Sequence, residues 1–448
     1  MTAKRHGYAL LSAITAMIVA LSAAIFVAVD ASAGDSGPHA LAAPRAAHLP
    51  GAPAAPAAPS STGVWIGTWA AAPVGGEPRT GTDGLAGRTV RNVVHTSVGG
   101  TSARVTLSNL YGTRPLIVTA ATLAVAAGDD SPVAAPDTLR RLTFGGATTV
   151  VVPPGEQTVS DAVPLAVPRD ADVLVSTYTP TSSGPVTFHP RARQTSYVAD
   201  GEHTEDVTGT PYTGQSAYWR YLTALDVLSD EADGTLVAFG DSLTDGVTST
   251  PGANRRWPDV LSDRLRTAVA SGRDAPRYGV VNAGISGNQV LKDSRSGGPS
   301  GLERFERDVL GRPDVKVVVI DLGINDILRN RTLADPDAVL AGLRTLVDRA
   351  HAHGIKVVGT TLMPFRGHRG YTAARESVRR QINEELRSGT VFDDLADLDK
   401  ALRDPYDPRR LHPDHDSGDH LHPNDRGYRK MAETIRFGQL EGAPPASL

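Results

Sequence analysis

GTLVAFGDSLTDG, residues 234–246, is where the character of this chain changes. The run TLVAF is apolar without alternation, as expected of a strand buried on both faces. It ends in a Gly-Asp-Ser turn. Three further runs follow, YGVVN (278–282), VKVVVID (315–321) and IKVVGTT (355–361). Helical patterns separate them at 257–270, 336–354, 372–389 and 426–436. Buried Val/Ile strands alternating with amphipathic helices imply an α/β fold, a three-layer parallel sheet flanked by helices over 234–440. Ligands of such sheets bind outside the carboxyl ends of the strands, so the loops after each run are where chemistry is to be sought.

Upstream, 64–230 has a different rhythm. TVRNVVHTSV, TSARVTLSNLYG, PLIVTAATLAVA, TTVVVPPG and ADVLVSTYTP are short β-branched runs broken by Gly, Pro, Asn and Asp. That pattern predicts an all-β sandwich, jelly-roll-like, preceding the α/β unit. Residues 34–63 are almost all Ala, Pro, Gly and Ser and read as an extended linker. Before them, Lys4-Arg5-His6, an apolar run and Ala31-Ser32-Ala33 describe a signal peptide over 1–33. The body is therefore expected to be secreted, or anchored in a membrane with the body outside if the leader is uncut. Residues 441–448 read as a loose tail.

The 448 residues are 40% hydrophobic, enough for sizeable cores, and 45 basic against 49 acidic side chains leave a net charge of −4. Nucleic acid is not an expected partner, since phosphate neutralisation needs clustered Lys and Arg. The chain has no cysteine, so thiolate catalysis, Cys-ligated zinc and disulfides are excluded.

The strand-end loops carry the candidates. Ser242 in GDSLTDG follows a buried strand directly, which is nucleophile geometry, although Asp, Ser and Gly also make ordinary turns. AGISGN (283–288) offers Gly287, whose amide can approach a ligand with no Cβ in the way. LGIND (322–326) offers Asn325, a neutral N–H donor suited to a developing oxyanion, or an Asx turn. HPDHDSGDHLHPND (412–425) has four histidines and four aspartates. Its spacing matches no helical or finger-type zinc pattern. Within it Asp419 and His422 stand at D-x-x-H just ahead of a helix start.

These four blocks, in this order, resemble those of the SGNH hydrolase superfamily, the GDSL esterases and lipases. The resemblance implies Ser242 as nucleophile, His422 as base and Asp419 as third triad member. It implies an oxyanion hole of Ser242, Gly287 and Asn325, and no metal or cofactor. WIGTWAAAP (65–73), RTVRNVVHTSVGG (88–100), RVTLSNLYGTRPL (104–116) and LTFGG (142–146) look like secreted bacterial GDSL proteins with a leading β-sandwich, some associated with xylan degradation. A monomer acting on short-acyl or O-acetyl esters of polysaccharide or small molecules is the expectation. A lipase, a phospholipase or a non-catalytic glycan-binding protein are the alternatives. Arg91, His95 and Asn109 are expected to be structural rather than cleft-lining. The tryptophans are expected to pack, and RRQINEELR on the 372–389 helix to be a solvated face.

Overall fold

The computed structural model describes residues 63–442, which belong to a single compact unit. The expected leader over 1–33, the linker as far as residue 62 and the tail from residue 443 lie outside the described residues. No helix among the described residues is long and apolar enough to cross a membrane.

The N-terminal region is all β. Its principal strands are β1 (Val64–Ala70), β2 (Arg88–His95), β3 (Gly100–Ser108), β4 (Ala120–Val125), β5 (Val163–Val167), β6 (Asp172–Thr179), β7 (Thr187–His189), β8 (Ser196–Asp200) and β9 (Leu222–Ser229). One antiparallel sheet runs β1-β9-β3-β5 and a second has β8-β2-β6-β4 along it. In β5, VPLAV alternates buried and exposed, the period-two signature of a strand with one wet face. Val90, Val94, Leu123, Val173 and Val175 of the second sheet share a core with Val105, Leu107, Leu225 and Val227 of the first, so the two sheets form a sandwich.

Arg91 and Asn109 are buried, Arg91 on the face of β2 that Val93 shares, turned away from that core and covered by loops. The Arg91 guanidinium donates to Ser176 Oγ and to the carbonyls of Pro132, Thr204 and Asp206. Asn109 donates to the carbonyls of Arg114 and Val152. Both satisfy backbone that the sandwich buries. Trp69, Trp219 and Trp257 are buried as packing residues.

The C-terminal region holds a parallel sheet of β10 (Gly234–Gly240), β11 (Tyr278–Gly284), β12 (Val315–Asp321), β13 (Lys356–Thr360) and β14 (Asp394–Ala396), in the order β11-β10-β12-β13-β14. The chain steps from β10 to β11 on one side, then back past β10 to β12. With right-handed crossovers this reversal puts helices on opposite faces. It also opens a crevice at the carboxyl end of β10. The main helices are α1 (Ser242–Asp245), α2 (Trp257–Ala270), α3 (Ile324–Leu328), α4 (Pro336–His351), α5 (Ala373–Arg387) and α6 (Asp425–Thr434). Asp335, Thr372 and Asn424 cap α4, α5 and α6 through side-chain oxygens.

Part of α5 is not a solvated face: Arg379 and Asn383 are buried. Arg379 is accommodated because Glu376, Asp399 and the Leu362 carbonyl take up its donors.

The two regions pack closely. The Gly67 amide of β1 donates to Thr235 Oγ1 at 3.0 Å, and Val280 N–H donates to Ser97 Oγ at 3.0 Å. A Cβ on Gly279 would lie 2.3 Å from the Gly67 carbonyl oxygen, so glycine is required for β1 to lie against β11. The edge strand of the parallel sheet is thereby covered.

Candidate active site

Ser242 is the first residue of α1, immediately past the end of β10. Asp241 caps this turn, its carboxylate accepting the Leu243 N–H at 3.0 Å. As the first helical residue, Ser242 has an N–H with no intrahelical acceptor, so the amide is available at the head of the sheet. The strand ends beneath are held by Arg304, which is fully buried. Its guanidinium donates to the carbonyls of Gly240 and Ala283 at 2.8 and 2.7 Å, to Asn288 Oδ1 at 2.9 Å and to Asp308 at 3.1 Å.

The structure brings Ser242, His422 and Asp419 together. His422 Nε2 is 2.8 Å from Ser242 Oγ, and Nδ1 is 2.6 Å from Asp419 Oδ2. Ionised Asp419 can only accept, so Nδ1 carries a proton and Nε2 faces the serine hydroxyl with its lone pair. Burial works to raise the Asp419 carboxyl. Hydrogen bonds from the His422 side chain and from the His422 and Leu421 amides outweigh it and hold the group well below the usual carboxylate range. The His422 loop is fixed from both sides. Asn424 Nδ2 donates to the carbonyls of Asp414 and Asp416, Thr248 Oγ1 donates to the Pro423 carbonyl at 2.6 Å, and Thr250 binds Asp425 through its amide and hydroxyl at 2.9 and 2.7 Å.

Gly287 and Asn325 line the same cavity of about 290 Å³ as Ser242 and His422. Gly287 has φ +82°, in the left-handed region, and a Cβ there would fall 2.3 Å from Arg329 Nη2. Asn325 lies in the first turn of α3. Arg329 Nε donates to its Oδ1 at 3.1 Å and its Nδ2 donates to Asp241 Oδ2 at 3.0 Å, so the flanking residues fix which way the amide faces. The remaining Nδ2 hydrogen is free for a ligand.

The other histidines of 412–425 stand apart from this arrangement. His420, at φ +63°, pairs with Asp416 at 2.7 Å, and His412 and His415 lie ring against ring. Among the described residues no group of three or more His, Asp or Glu side chains is placed to hold a metal ion.

Several contributors escaped the sequence reading. Asp245 accepts the Ser286 amide at 2.9 Å together with the Ser286 hydroxyl, and so anchors the loop bearing Gly287. Asp326 anchors the far side of that loop by accepting the amides of Val290 and Leu291 at 2.8 and 3.2 Å. Burial raises its carboxyl to about 6, against these hydrogen bonds. Asp241 and Asp321 are also raised, by burial and, for Asp241, by the neighbouring Asp321 charge. The adjacency of Asp241 to Ser242 and of Asp326 to Asn325 was the available signal, since acids flanking candidates at strand ends are placed to orient them.

The β region reaches the site as well. His189, at the end of β7, sits between the Ala72 carbonyl, 2.8 Å from Nδ1, and Asp245 Oδ1, 3.0 Å from Nε2. Arg191, two residues on, lines the cavity of Ser242.

No curated protein matches the chain. Among solved structures, it resembles a GDSL-like lipase from Bacteroides thetaiotaomicron at 21% identity, covering 46% of this chain and 87% of that one with a TM-score of 0.33. A member of the lipolytic G-D-S-L family from Veillonella parvula aligns at 20% identity over 45% and 94%, with a TM-score of 0.34. A mutant of an acetyl-xylooligosaccharide esterase from Geobacillus aligns at 22% identity over 47% and 95%, also at 0.34. The family model of the GDSL-like lipases and acylhydrolases matches residues 238–430, from the strand end before Ser242 to the helix behind His422. Residues 238–430 are a domain of the GDSL-like lipase/acylhydrolase family.

Proposed function

We infer that this protein is a serine esterase that hydrolyses carboxylic esters through an acyl-enzyme on Ser242. The observation that carries this reading is the unbroken line Ser242 Oγ, His422 Nε2, His422 Nδ1, Asp419 Oδ2, with both contacts at hydrogen-bond length. His422 takes the hydroxyl proton as Oγ forms its bond to the ester carbonyl carbon. Asp419 stabilises the imidazolium this creates. The tetrahedral oxyanion is received by the Ser242 and Gly287 amides and the free Asn325 Nδ2 hydrogen. His422 then gives its proton to the departing alcohol. In the second half a water, deprotonated by His422, attacks the acyl carbon; the C–O bond to Ser242 then breaks, His422 returns the proton to Oγ, and the acid leaves.

Short acyl and O-acetyl esters, of polysaccharides or small molecules, are the proposed substrates. The cavity is small, and only Val247, Leu328 and Leu421 among its lining side chains are apolar beyond a methyl group. That lining gives a long acyl chain little surface to bury. The leader sequence supports secretion as the setting for this activity.

The test is direct. The purified protein and Ser242→Ala are assayed on aryl esters of rising acyl length and on acetylated xylan. Activity in the parent that falls steeply beyond short chains and is absent in the variant is expected. Equal turnover by both proteins would remove Ser242 from the chemistry.

A further inference from the structure

Three arginines line the cavity that holds Ser242, and they come from three separate segments. Arg191 follows β7 in the β region, Arg329 ends α3, and Arg369 lies between β13 and α5. His368 is beside them, and none of the described residues lining the cavity is an Asp or Glu. The chain as a whole carries a net charge of −4, so this concentration of positive charge is local.

The placement of Arg329 depends on its neighbours. Neutral acceptors hold it, Asn325 Oδ1 and Ser296 Oγ, each at 3.1 Å, which leaves its full charge unneutralised by those contacts. It covers Gly287 so closely that any side chain there would occupy its space. The fork is thus fixed beside two of the three oxyanion donors, Gly287 and Asn325, with N–H groups in excess of its protein acceptors. Burial, partly opposed by the charge of Asp419, lowers the His368 imidazole, so at neutral pH the standing charge of this wall is that of the arginines.

We propose that the ester cleaved at Ser242 carries an anionic group, a carboxylate, phosphate or sulfate, close to the scissile bond, and that Arg191, Arg329 and Arg369 bind it. This rests on the esterase reading above and adds the substrate's charge to it. Arginine forks match such groups bidentately, and the absence of lining acids leaves nothing to compete for them. The β region then has a part in specificity, because Arg191 belongs to it. The anion can sit on the acyl side, as in a half-ester of a dicarboxylic acid, or on the alcohol side, as in an O-acetylated acidic sugar.

The experiment compares kcat/KM for matched pairs at low salt. An aryl hemisuccinate against an aryl valerate probes the acyl side, and an O-acetylated uronic acid against the O-acetylated neutral sugar probes the alcohol side. At least one pair is expected to favour the anion by 10-fold or more, and that pair identifies the side. The preference is expected to shrink as salt rises. It is also expected to fall several-fold in Arg191→Ala and Arg369→Ala, and to invert in Arg191→Glu. Both arginines are exposed, and unchanged thermal unfolding of each variant would show that the fold is intact. Neutral esters cleaved in a Ser242-dependent way, with no anion preference in either pair, would overturn this proposal and leave the esterase reading standing. Hydrolysis independent of Ser242 would overturn the esterase reading itself.

Discussion

Replacing His189 by alanine should do more damage than its distance from the chemistry suggests. Both of its ring nitrogens face oxygens that can only accept, the Ala72 carbonyl and the Asp245 carboxylate, so the ring satisfies both contacts only as the imidazolium. Burial works to lower its pKa, but Asp245, by charge and hydrogen bond, and the Ala72 carbonyl prevail and raise it. Histidine and acid are 4% and 3% exposed. Breaking a buried pair by deleting one partner costs about 3–5 kcal/mol. Asp245 keeps its two donors from Ser286, which places the expectation near 3 kcal/mol, the lower end of that range.

The sign with pH follows from the raised pKa. The stabilisation from His189 is fully present below its unfolded value of about 6.5 and is lost as pH rises through the higher folded value. Urea unfolding of parent and His189→Ala from pH 5.5 to 9 should therefore show a stability gap that is widest in acid and narrows with rising pH. Asp245→Asn should be non-additive with it, because the two share one contact. Because Asp245 also holds the Gly287 loop, kcat should fall with stability. A variant within about 1 kcal/mol of the parent at pH 5.5, or a gap that does not change with pH, would refute the charged bridge.

Other outcomes follow from the same geometry. Asn325→Ala should lower kcat roughly 100-fold, the usual effect of losing one oxyanion donor, with KM little changed in steady-state ester hydrolysis. Gly287→Ala should cost about 1–2 kcal/mol for its left-handed backbone and displace Arg329, so denaturant unfolding and turnover should both decline. Asp326, raised to about 6, favours the fold most below about pH 4 and loses that contribution as pH climbs to about 6. The swing is about 3 kcal/mol, so Asp326→Asn should flatten the parent's decline in stability between pH 4.5 and 7.5 by up to that amount. Arg304→Met should destabilise by about 3 kcal/mol in chemical denaturation, since four buried acceptors lose their donor.

The sequence displayed the parts of this molecule that depend on local pattern. VKVVVID coincides with β12, and WPDVLSDRLRTAVA coincides with α2, because continuous Val/Ile runs and a 3.6-residue apolar stripe are set by a few neighbours. Ser242, Gly287, Asn325, Asp419 and His422 each follow a strand or precede a helix whose start is itself legible, and the fold places them on one cavity or one hydrogen-bond line. What escaped depends on tertiary pairing. β14 is three residues, DLA, too short to show a period. Arg379 and Arg304 look like surface residues until acceptors distant in the chain reach them, Asp399 and the Leu362 carbonyl for the first, the Gly240 and Ala283 carbonyls for the second. His189 and Arg191 lie in the β region, and no local signal couples PVTFHPRAR to a serine some fifty residues on.

The partners Ser242 and His422 are 180 residues apart in the chain. The serine is translated early in its domain and the histidine close to the end, on a loop that Asn424, the cap of α6, holds in shape. A ribosome-bound or truncated chain lacking that last segment would display the nucleophile with no base beside it. On the proposed mechanism, a chain that ends before residue 412 would therefore hydrolyse no ester.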